Sequence, residues 1–263
     1  MPDDKFQQTA LSQMILSPCK TIVSCGVPKS GSTWISNIMT DLYHVRHFSI
    51  RRGTPSFRGD SYTGFELILI RLLESFRKIL IFHDHVLPMK RHNTHYVFIH
   101  RDIRDSVISR LFFYSNMNNN FRHLKSKYKT IDDNNINSLI TSIINSGVLK
   151  LHKDVVRKVV AMSEVYVTTY EMMLRDAHTE IKRLVEFTGI QKTENEITDA
   201  IENNSFRRLS EGRKRGDEER SSFYRKGIAG DWKNYFTDEH KDLFKKLHGD
   251  FLIELKYENN YNW

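Results

Sequence analysis

The sequence has little cysteine and no long apolar run. Its two cysteines, Cys19 and Cys25, have no histidine nearby at a metal-ligand spacing. Two thiols are too few for a disulfide framework, and this usage fits a reducing, cytoplasmic setting best. The longest apolar stretch, FELILIRLLESF, is interrupted by Glu66, Arg71 and Glu74, and it falls well short of the ~20 apolar residues that a membrane-spanning helix needs. We therefore expect a soluble protein that does not associate with membranes.

The start of the sequence does not resemble a signal peptide, so we predict no export, and no internal repeat is recognisable. This start, MPDDKFQQTALSQMILSPCK, has neither the basic beginning nor the long apolar core that export requires. A length of 263 residues fits one large α/β domain with insertions. We predict a single domain over residues 1–263, with an N-terminal extension at 1–19.

Basic residues are in excess: Lys and Arg number 40 against 32 for Asp and Glu, a net charge of +8. Such an excess favours anionic partners, namely phosphates, nucleic acid or acidic membranes. The Asn-rich segment 115–138 and the charge-dense segment 207–222 are predicted to be mobile loops over the site. Acids are mixed with the bases of the second segment, as in GDEER, which is typical of a solvated face and disfavours a nucleic-acid-binding protein.

Short apolar runs alternate with helix-like stretches along the chain. Buried parallel strands typically have this apolar character, and strand-then-helix alternation is typical of a doubly wound α/β fold. We predict a central parallel sheet flanked by helices. The predicted strands are 21–25, 79–82, 96–100 and 165–169, and the predicted helices are about 32–43, 103–114 and 172–188.

The stretch TIVSCGVPKSGSTWISNIM runs from the first strand through a Gly/Pro/Ser turn into a helix. Such a turn points backbone N–H groups and the positive end of the helix dipole at one spot, which favours an anion. Gly26, Gly31 and Thr33 fall nearly in register with the nucleotide-binding pattern GxxxxGK[ST], but position 32 is serine and the lysine is Lys29. A lysine inside the loop can stabilise negative charge on a leaving group. This position of the lysine argues against a kinase or NTPase.

Three segments resemble the sulfotransferases that use 3′-phosphoadenosine 5′-phosphosulfate (PAPS). PKSGSTW resembles the loop that holds the 5′-phosphosulfate, FIHRDIRDSVISRLFF resembles the 3′-phosphate segment, and FYRKGIAGDWKNYFT closely resembles the C-terminal RKGxxGDWKNxFT element. Lesser similarities are TTYEMM and NSFRRL. The resemblance spans about 20–240 and implies the P-loop-like fold of the cytosolic-type sulfotransferases.

The resemblance also implies the cofactor chemistry: PAPS as donor, PAP (3′-phosphoadenosine 5′-phosphate) as product, and no metal. Truncating Lys29 or Arg101, each in a loop or at an element end, is expected to abolish activity at little cost in stability. The implied 5′ ligands are Lys29, Ser30, Gly31, Ser32 and Thr33, the 3′ ligands are Arg101, Ser109, Arg225, Lys226 and Gly227, and the residues about the adenine are Trp34, Tyr170, Asn204 and Phe206.

The general base is expected in the segment FHDHVLP. The family carries a histidine in a KTHLP segment after a strand, and the matching residue is His85. Val86 is an extra residue relative to that pattern, so His83 and Asp84 are alternative bases, and Asp84 is also an alternative orienting partner for His85. Sulfuryl transfer resembles phosphoryl transfer, since the protein mainly positions the reactants and neutralises charge.

The oligomeric state and the acceptor are predicted from segments that differ from the family pattern. In KNYFTDEHKD (233–242), Asp238 and Asp242 replace the valine and glutamate of a family dimer element, KxxxTVxxxE; a charge there weakens a small interface, so we expect a monomer or a weak dimer. The segments that match the family least are 44–65, 112–150 and 207–222. Their polar content favours a small polar hydroxyl- or amine-bearing acceptor over a phenol or sterol.

Overall fold

A parallel sheet built from short apolar strands forms the centre of the protein. We analysed a computed structural model, which describes residues 20–44, 79–84, 94–116, 128 and 130–263. The strands are β1 (Lys20–Gly26), β2 (Ile79–Asp84), β3 (Thr94–His100) and β4 (Val165–Thr169). They pair in the order β2-β1-β3-β4, and every pairing is parallel. The four predicted strands are therefore confirmed.

The strand register brings the carboxyl ends of the strands to one edge of the sheet. Cys25 is paired with Asp84, Gly26 with Ile99, and His100 with Thr169. The segments that follow the four strands therefore begin side by side. In open α/β sheets this edge is where ligands bind.

Helices follow the strands and pack on both faces. Among the described residues they are α1 (Ser32–Leu42), α2 (Ile103–Ser115), α3 (Ile136–Ile144), α4 (Gly147–Val160), α5 (Tyr170–Arg175), α6 (Ala177–Thr188), α7 (Glu194–Asn203), α8 (Phe206–Leu209) and α9 (Asp238–Glu254), with a short 3-10 helix at Asp231–Asn234. None of the helices in the described ranges is long and apolar enough to cross a membrane.

Two apolar clusters cover the two faces of the sheet. One joins strand residues such as Val23 and Phe98 to Leu111, Val156 and Phe244, from α2, α4 and α9. The other joins strand and helix residues from β1, β3, α1, α6 and α7, among them Ile22, Ile99, Ile38, Leu184 and Ile197. The predicted α/β sheet flanked by helices is confirmed, because β1 and β3 are buried between two helical layers.

The predicted helix 172–188 is wrong in one respect, since two helices occupy the region. Asp176 ends α5 and caps α6, with its side chain accepting a hydrogen bond from the Thr179 backbone N–H at 3.0 Å. Its extended backbone (φ −155°) interrupts the helical hydrogen bonds. Asp is among the preferred N-cap residues, so this residue was a signal for a new start.

The two predicted loop segments are partly ordered into regular structure. Within 115–138, residues 117–127 and 129 lie outside the described residues, and 136–138 begin α3. The segment 207–222 starts in α8. It is then held by Arg213, which donates hydrogen bonds to the carbonyl oxygens of Tyr224 and Arg225 at 2.7 and 2.8 Å. The mobility of both segments stays a prediction.

Candidate active site

The turn between β1 and α1 has the strained backbone of an anion-binding loop. Lys29 and Gly31 both have positive φ, 75° and 91°. The Ser30 N–H donates back to the Val27 carbonyl at 3.2 Å. A Cβ on Gly31 would lie 2.7 Å from the Tyr170 ring, so glycine is required there. Holding a non-glycine residue at positive φ costs about 1–3 kcal/mol of conformational free energy, and such residues are typical of functional sites. Lys29 is therefore a candidate functional residue.

Lys29 lies in a strongly cationic environment. Burial, followed by the positive charges of Arg110, Arg101 and Arg225 in that order, lowers the pKa of Lys29 to about 7. Its Nζ lies 4.1 Å from the centre of the Phe113 ring and 4.9 Å from that of Phe223. Like charges at one place repel one another, and of these four cations only Arg101 and Arg225 have acidic partners among the described residues. The cluster therefore favours a ligand with negative charge.

Arg101 comes directly after β3 and is held by Asp105. Its Nη2 lies 3.2 Å from Asp105 Oδ2 and 2.7 Å from the Ile228 carbonyl oxygen. Its guanidinium also covers the Tyr170 ring at 4.3 Å. The side chain is only 9% exposed, and its Nε has no hydrogen-bond partner in the described part of the chain. This free donor fits an anionic ligand oxygen.

Asp105 also anchors the segment that follows the RKG unit. Its Oδ2 accepts the Gly230 N–H at 2.7 Å, and its Oδ1 accepts the Trp232 N–H at 2.9 Å. The same carboxylate is paired with Arg101. One side chain of α2 thus fixes the distance between Arg101 and the C-terminal motif.

Arg225 and Lys226 are paired with acids. Arg225 contacts the carboxylates of Glu218 and Asp231, and Lys226 Nζ lies 2.7 Å from Asp231 Oδ1. The Arg225 guanidinium also lies 4.7 Å from the Phe112 ring centre. Both cations reach the site with their charges already compensated, so a phosphate competes with Asp231 for them.

Trp34 and Asn204 are buried beside the loop, and the half-buried Tyr170 packs with them. The Trp34 indole N–H donates to the Asn204 carbonyl at 2.9 Å. The Trp34 and Tyr170 rings meet edge to face with 5.8 Å between centroids. Asn204 itself donates to the Ala200 carbonyl at 2.9 Å. These contacts hold the indole ring in one orientation. Its flat aromatic face forms one wall of the site and suits contact with an aromatic base.

The Phe206 ring extends this wall and packs against Gly227 of the RKG unit. Gly227 has φ 68°, and a Cβ there would run into the Phe206 ring. The Arg213 guanidinium lies 5.4 Å from the same ring. Only glycine fits at position 227, because the Phe206 ring approaches so closely. The backbone of the predicted 3′-phosphate motif therefore lies beside the predicted adenine residues.

The structure brings most of the predicted site residues to one edge of the sheet. Ser30 and Ser32 are buried in the loop and at the start of α1, and the Ser30 hydroxyl has no partner among the described residues. Thr33 is half-buried on α1, and Ser109 is half-buried two turns into α2. His85 lies outside the described residues. For its alternatives, His83 and Asp84, the structure describes the backbone, which ends β2 at the same edge as the loop.

Several residues of the site were not predicted from the sequence. Asp105, Asp231 and Glu218 hold the predicted cations, and Arg110 lies beside Lys29. The acids are close to their partners in the sequence, since Asp105 follows Arg101 by four residues and Asp231 follows Arg225 by six, but residue types alone do not specify which charges pair. Arg110 directly follows the predicted Ser109, and this adjacency was an available signal.

The arrangement fits a nucleotide with an anion at each end. Cations and N–H donors lie at two places, the loop about Lys29 and the Arg101 region, with the aromatic residues Trp34 and Phe206 beside them. Donors with unused capacity, the Ser30 hydroxyl and Arg101 Nε, remain in the described site. In the described ranges, no group of three or more His, Cys, Asp or Glu side chains is arranged to hold a metal ion.

Comparison with known proteins gives a consistent result. The sequence profile of the sulfotransferase domain matches residues 20–254. Cytosolic sulfotransferase 4 of Arabidopsis thaliana is 36% identical over 94 residues, covering 35% of this chain and 30% of that protein. This match thus spans less than a third of the plant relative. Sulfotransferase 1A1 of Bos taurus is 24% identical over 240 residues, covering 83% of this chain and 78% of that protein.

Solved structures share the fold. A mouse sulfotransferase complexed with PAP superposes with a TM-score of 0.63 at 18% identity, covering 89% of this chain and 84% of that one. A retinol dehydratase in complex with androsterone and inactive cofactor PAP gives a TM-score of 0.60 at 18% identity, covering 91% and 82%. Because the sequence profile spans nearly the whole chain and the fold agrees, the chain belongs to the sulfotransferase domain family of enzymes.

Proposed function

We propose that this member of the PAPS-dependent sulfotransferase enzymes moves the sulfuryl group of PAPS to a hydroxyl or amine of a small polar molecule. PAPS supplies the activated sulfuryl group. The acceptor oxygen or nitrogen forms a bond to sulfur as the bond from sulfur to the 5′-phosphate oxygen breaks, that oxygen keeps the electron pair, and the acceptor proton passes to a general base. The products are the sulfated acceptor and PAP.

The observation that carries this proposal is the cationic cluster about Lys29. Burial, and then three guanidiniums, lower the pKa of a lysine that lies, at positive φ, in the loop between a parallel strand and a helix. Such a site binds an anionic group without a metal ion, because the loop N–H groups and the side chains supply the positive charge. We therefore propose metal-free transfer.

The two anionic ends of the donor have separate partners. We assign the 5′ end to the loop residues Lys29, Ser30, Gly31, Ser32 and Thr33, and the 3′ end to Arg101, Ser109, Arg225, Lys226 and Gly227. The adenine is assigned to the wall formed by Trp34 and Phe206, with Tyr170 and Asn204 behind it. What supports this division is the position of Asp105, which links Arg101 to the RKG-containing segment.

Lys29 has the role of stabilising the leaving oxygen. Negative charge grows on the bridging oxygen as the bond to sulfur breaks, and a nearby ammonium stabilises that charge. His85 has the role of general base, contributing about 10²–10⁴ in rate. In support of this assignment, β2 ends at Asp84, which is paired in register with Cys25 of the strand that precedes the loop.

The acceptor is proposed to be a small polar alcohol or amine. The described surface beside Lys29 includes two aromatic rings, Phe113 and Phe223, so the reacting end of the acceptor lies near apolar groups. The polar residues of 44–65 and 112–150 support recognition of the remainder of the acceptor by hydrogen bonds. We place the activity in the cytoplasm, as for the relative named cytosolic sulfotransferase 4.

Ligand-induced thermal stabilisation tests the proposal. PAP should raise the melting temperature of the purified protein strongly, ATP with Mg²⁺ weakly, and oligonucleotides only at low salt. A kinase or NTPase would respond most to ATP with Mg²⁺, and a nucleic-acid-binding protein would respond to oligonucleotides. No response to PAP over a concentration range that reaches millimolar would overturn the proposal.

A further inference from the structure

Arg110 is a buried arginine at the reacting end of the site. It lies in the last half of α2 and is only 4% exposed. Its Nη2 donates to the Pro28 carbonyl of the loop at 3.2 Å, and its charge is the strongest single charge acting on Lys29. The guanidinium therefore lies against the same loop that presents Lys29.

The charge of Arg110 has no acidic partner within the described residues. Arg101 is paired with Asp105, and Arg225 is paired with Glu218 and Asp231. Arg110, in contrast, bonds a carbonyl oxygen and the Tyr114 side chain, and its Nε has no partner in the described part of the protein. Burial lowers the pKa of Arg110, as expected where no carboxylate opposes the cost of desolvation.

Two side chains of α2, Arg110 and Phe113, contact the same loop. Arg110, Phe113 and Tyr114 are spaced three and four residues apart, so they share one helix face. Phe113 contacts the Lys29 ammonium at 4.1 Å, which places this face next to the lysine. Lys29 also has no carboxylate partner in the described ranges. Two uncompensated cations are thus left at the loop.

We infer that Arg110 is a second cationic ligand of the donor's 5′ group, acting with Lys29 on the phosphosulfate and on the phosphate left after transfer. The phosphosulfate carries one negative charge on phosphorus and one on sulfur, which matches the two uncompensated cations. Burial of an unpaired guanidinium destabilises a protein, whereas pairing with an anion removes that penalty. The inference rests on the proposed function, since it assigns a further residue to the same donor.

Binding of nucleotides that differ in one phosphate tests the inference. The probes are PAP, adenosine 3′-phosphate and adenosine 5′-phosphate, measured by calorimetry on wild type, Arg110→Met and Arg110→Lys. Arg110→Met should weaken PAP and adenosine 5′-phosphate by about ten- to a hundredfold, the range for loss of a charged hydrogen bond. Affinity for adenosine 3′-phosphate should not change. Arg110→Lys should restore part of the lost affinity.

A matched control is Arg101→Met, which should weaken adenosine 3′-phosphate and leave adenosine 5′-phosphate unchanged. Thermal unfolding of the ligand-free variants separates a ligand role from a structural one: Arg110→Met should melt at or above the wild-type temperature, since an unpaired buried charge is replaced by an apolar side chain. If it melts lower and binds PAP as wild type does, Arg110 is structural and the inference is overturned.

Two further outcomes separate the role of Arg110 from the proposed function. If Arg110→Met keeps wild-type affinity for PAP but loses turnover only with acidic acceptors, Arg110 binds the acceptor and the inference is overturned. If wild type binds neither PAP nor adenosine 5′-phosphate, the proposed function fails as well. Normal PAP binding by both wild type and Arg110→Met refutes only the role of Arg110.

Discussion

Asp105 and Arg101 form a buried ion pair, with 3.2 Å between Oδ2 and Nη2, and the same carboxylate accepts the N–H groups of Gly230 and Trp232. The pair joins the segment after β3 to the C-terminal motif, two regions more than 120 positions apart in the sequence. Geometry of the proposed 3′-phosphate site therefore depends on a residue that contacts no part of the proposed ligand.

Substitution of Asp105 tests this dependence. Asp105→Asn should lower the free energy of unfolding by about 3–5 kcal/mol, because a buried cation loses its partner. PAP affinity should fall too, since Gly230 and Trp232 lose an acceptor. Chemical denaturation and PAP titration measure the two effects. The matched control is Asp242→Asn, which replaces a carboxylate that is 80% exposed. The free energy of unfolding of this variant should stay within about 0.5 kcal/mol of the wild-type value. An equally small change in Asp105→Asn would contradict the anchoring role.

PAP binding should depend on pH through Lys29. Its pKa is lowered to about 7 by burial and by Arg110, Arg101 and Arg225, so the free protein loses this proton as the pH rises through 7, and an anion restores it. PAP affinity should therefore fall from pH 6 to pH 9, with proton uptake on binding at pH 8. Calorimetry in buffers of different ionisation enthalpy measures that uptake. Lys29→Arg, which stays charged throughout, should remove it. Equal uptake in the variant would assign the proton to another group.

Contact between Gly227 and Phe206 should be essential to the adenine wall. Gly227→Ala places a methyl group in the Phe206 ring at a φ of 68°, so the ring must move and PAP affinity should fall at least tenfold. Gly216→Ala is the matched control, since its φ is 102° and no atom lies within 4 Å of the added carbon. Both variants place an L side chain at a positive φ, which is strained in each case, and the difference in PAP affinity measures the ring contact. Equal affinities would contradict it.

Acid should destabilise the fold through buried histidines. Burial lowers the pKa of His100 and of His248 to about 4, below the value of about 6.5 in an unfolded chain. The unfolded state then binds more protons between these values, so stability is present above pH 6.5 and is lost as the pH falls toward 4. Between pH 7 and pH 5 each histidine should cost roughly 2 kcal/mol.

Urea denaturation at pH 7 and pH 5 measures this loss. His248→Gln should reduce the pH dependence while lowering stability at pH 7, because the His248 ring contacts the Ile144 carbonyl at 2.9 Å. An unchanged difference between the two pH values would show that His248 is not responsible.

The protein is predicted to be monomeric in dilute solution. The carboxylates of Asp238 and Asp242 are 90% and 80% exposed and pair locally with Lys241 and Lys245, which leaves a charged surface where the resemblance implies a dimer contact. Light scattering across a concentration series should give the monomer mass throughout. A dimer that Asp238→Arg dissociates would contradict the prediction.

The strands were predictable because each is a short apolar run, and all four were found. The loop about Lys29 was recognisable from its Gly/Ser spacing. Local sequence patterns of this kind are sufficient to predict the strands and the loop that follows β1. The break at Asp176 was missed because the apolar periodicity continues on both sides of it.

Electrostatic partners were not predictable in the same way. The sequence predicted that truncating Arg101 costs little stability, whereas its 9% exposure and its pairing with Asp105 predict a larger loss. Asp231 contacts both Arg225 and Lys226, a relation that residue types alone do not specify. Arg110 received no role although it directly follows Ser109, because its contact with the loop that presents Lys29 is made only on folding.

Transfer of one SO₃ group from PAPS to an acceptor is the most direct test of the proposed activity. Purified protein is incubated with PAPS and a panel of polar alcohols, amines, phenols and sterols, and the products are measured by mass spectrometry with Lys29→Ala as control. A polar alcohol or amine should gain one SO₃ group with formation of an equal amount of PAP, and the variant should form neither product. Sulfation of phenols and sterols alone would contradict the acceptor class, and intact PAPS with every acceptor would contradict the activity itself.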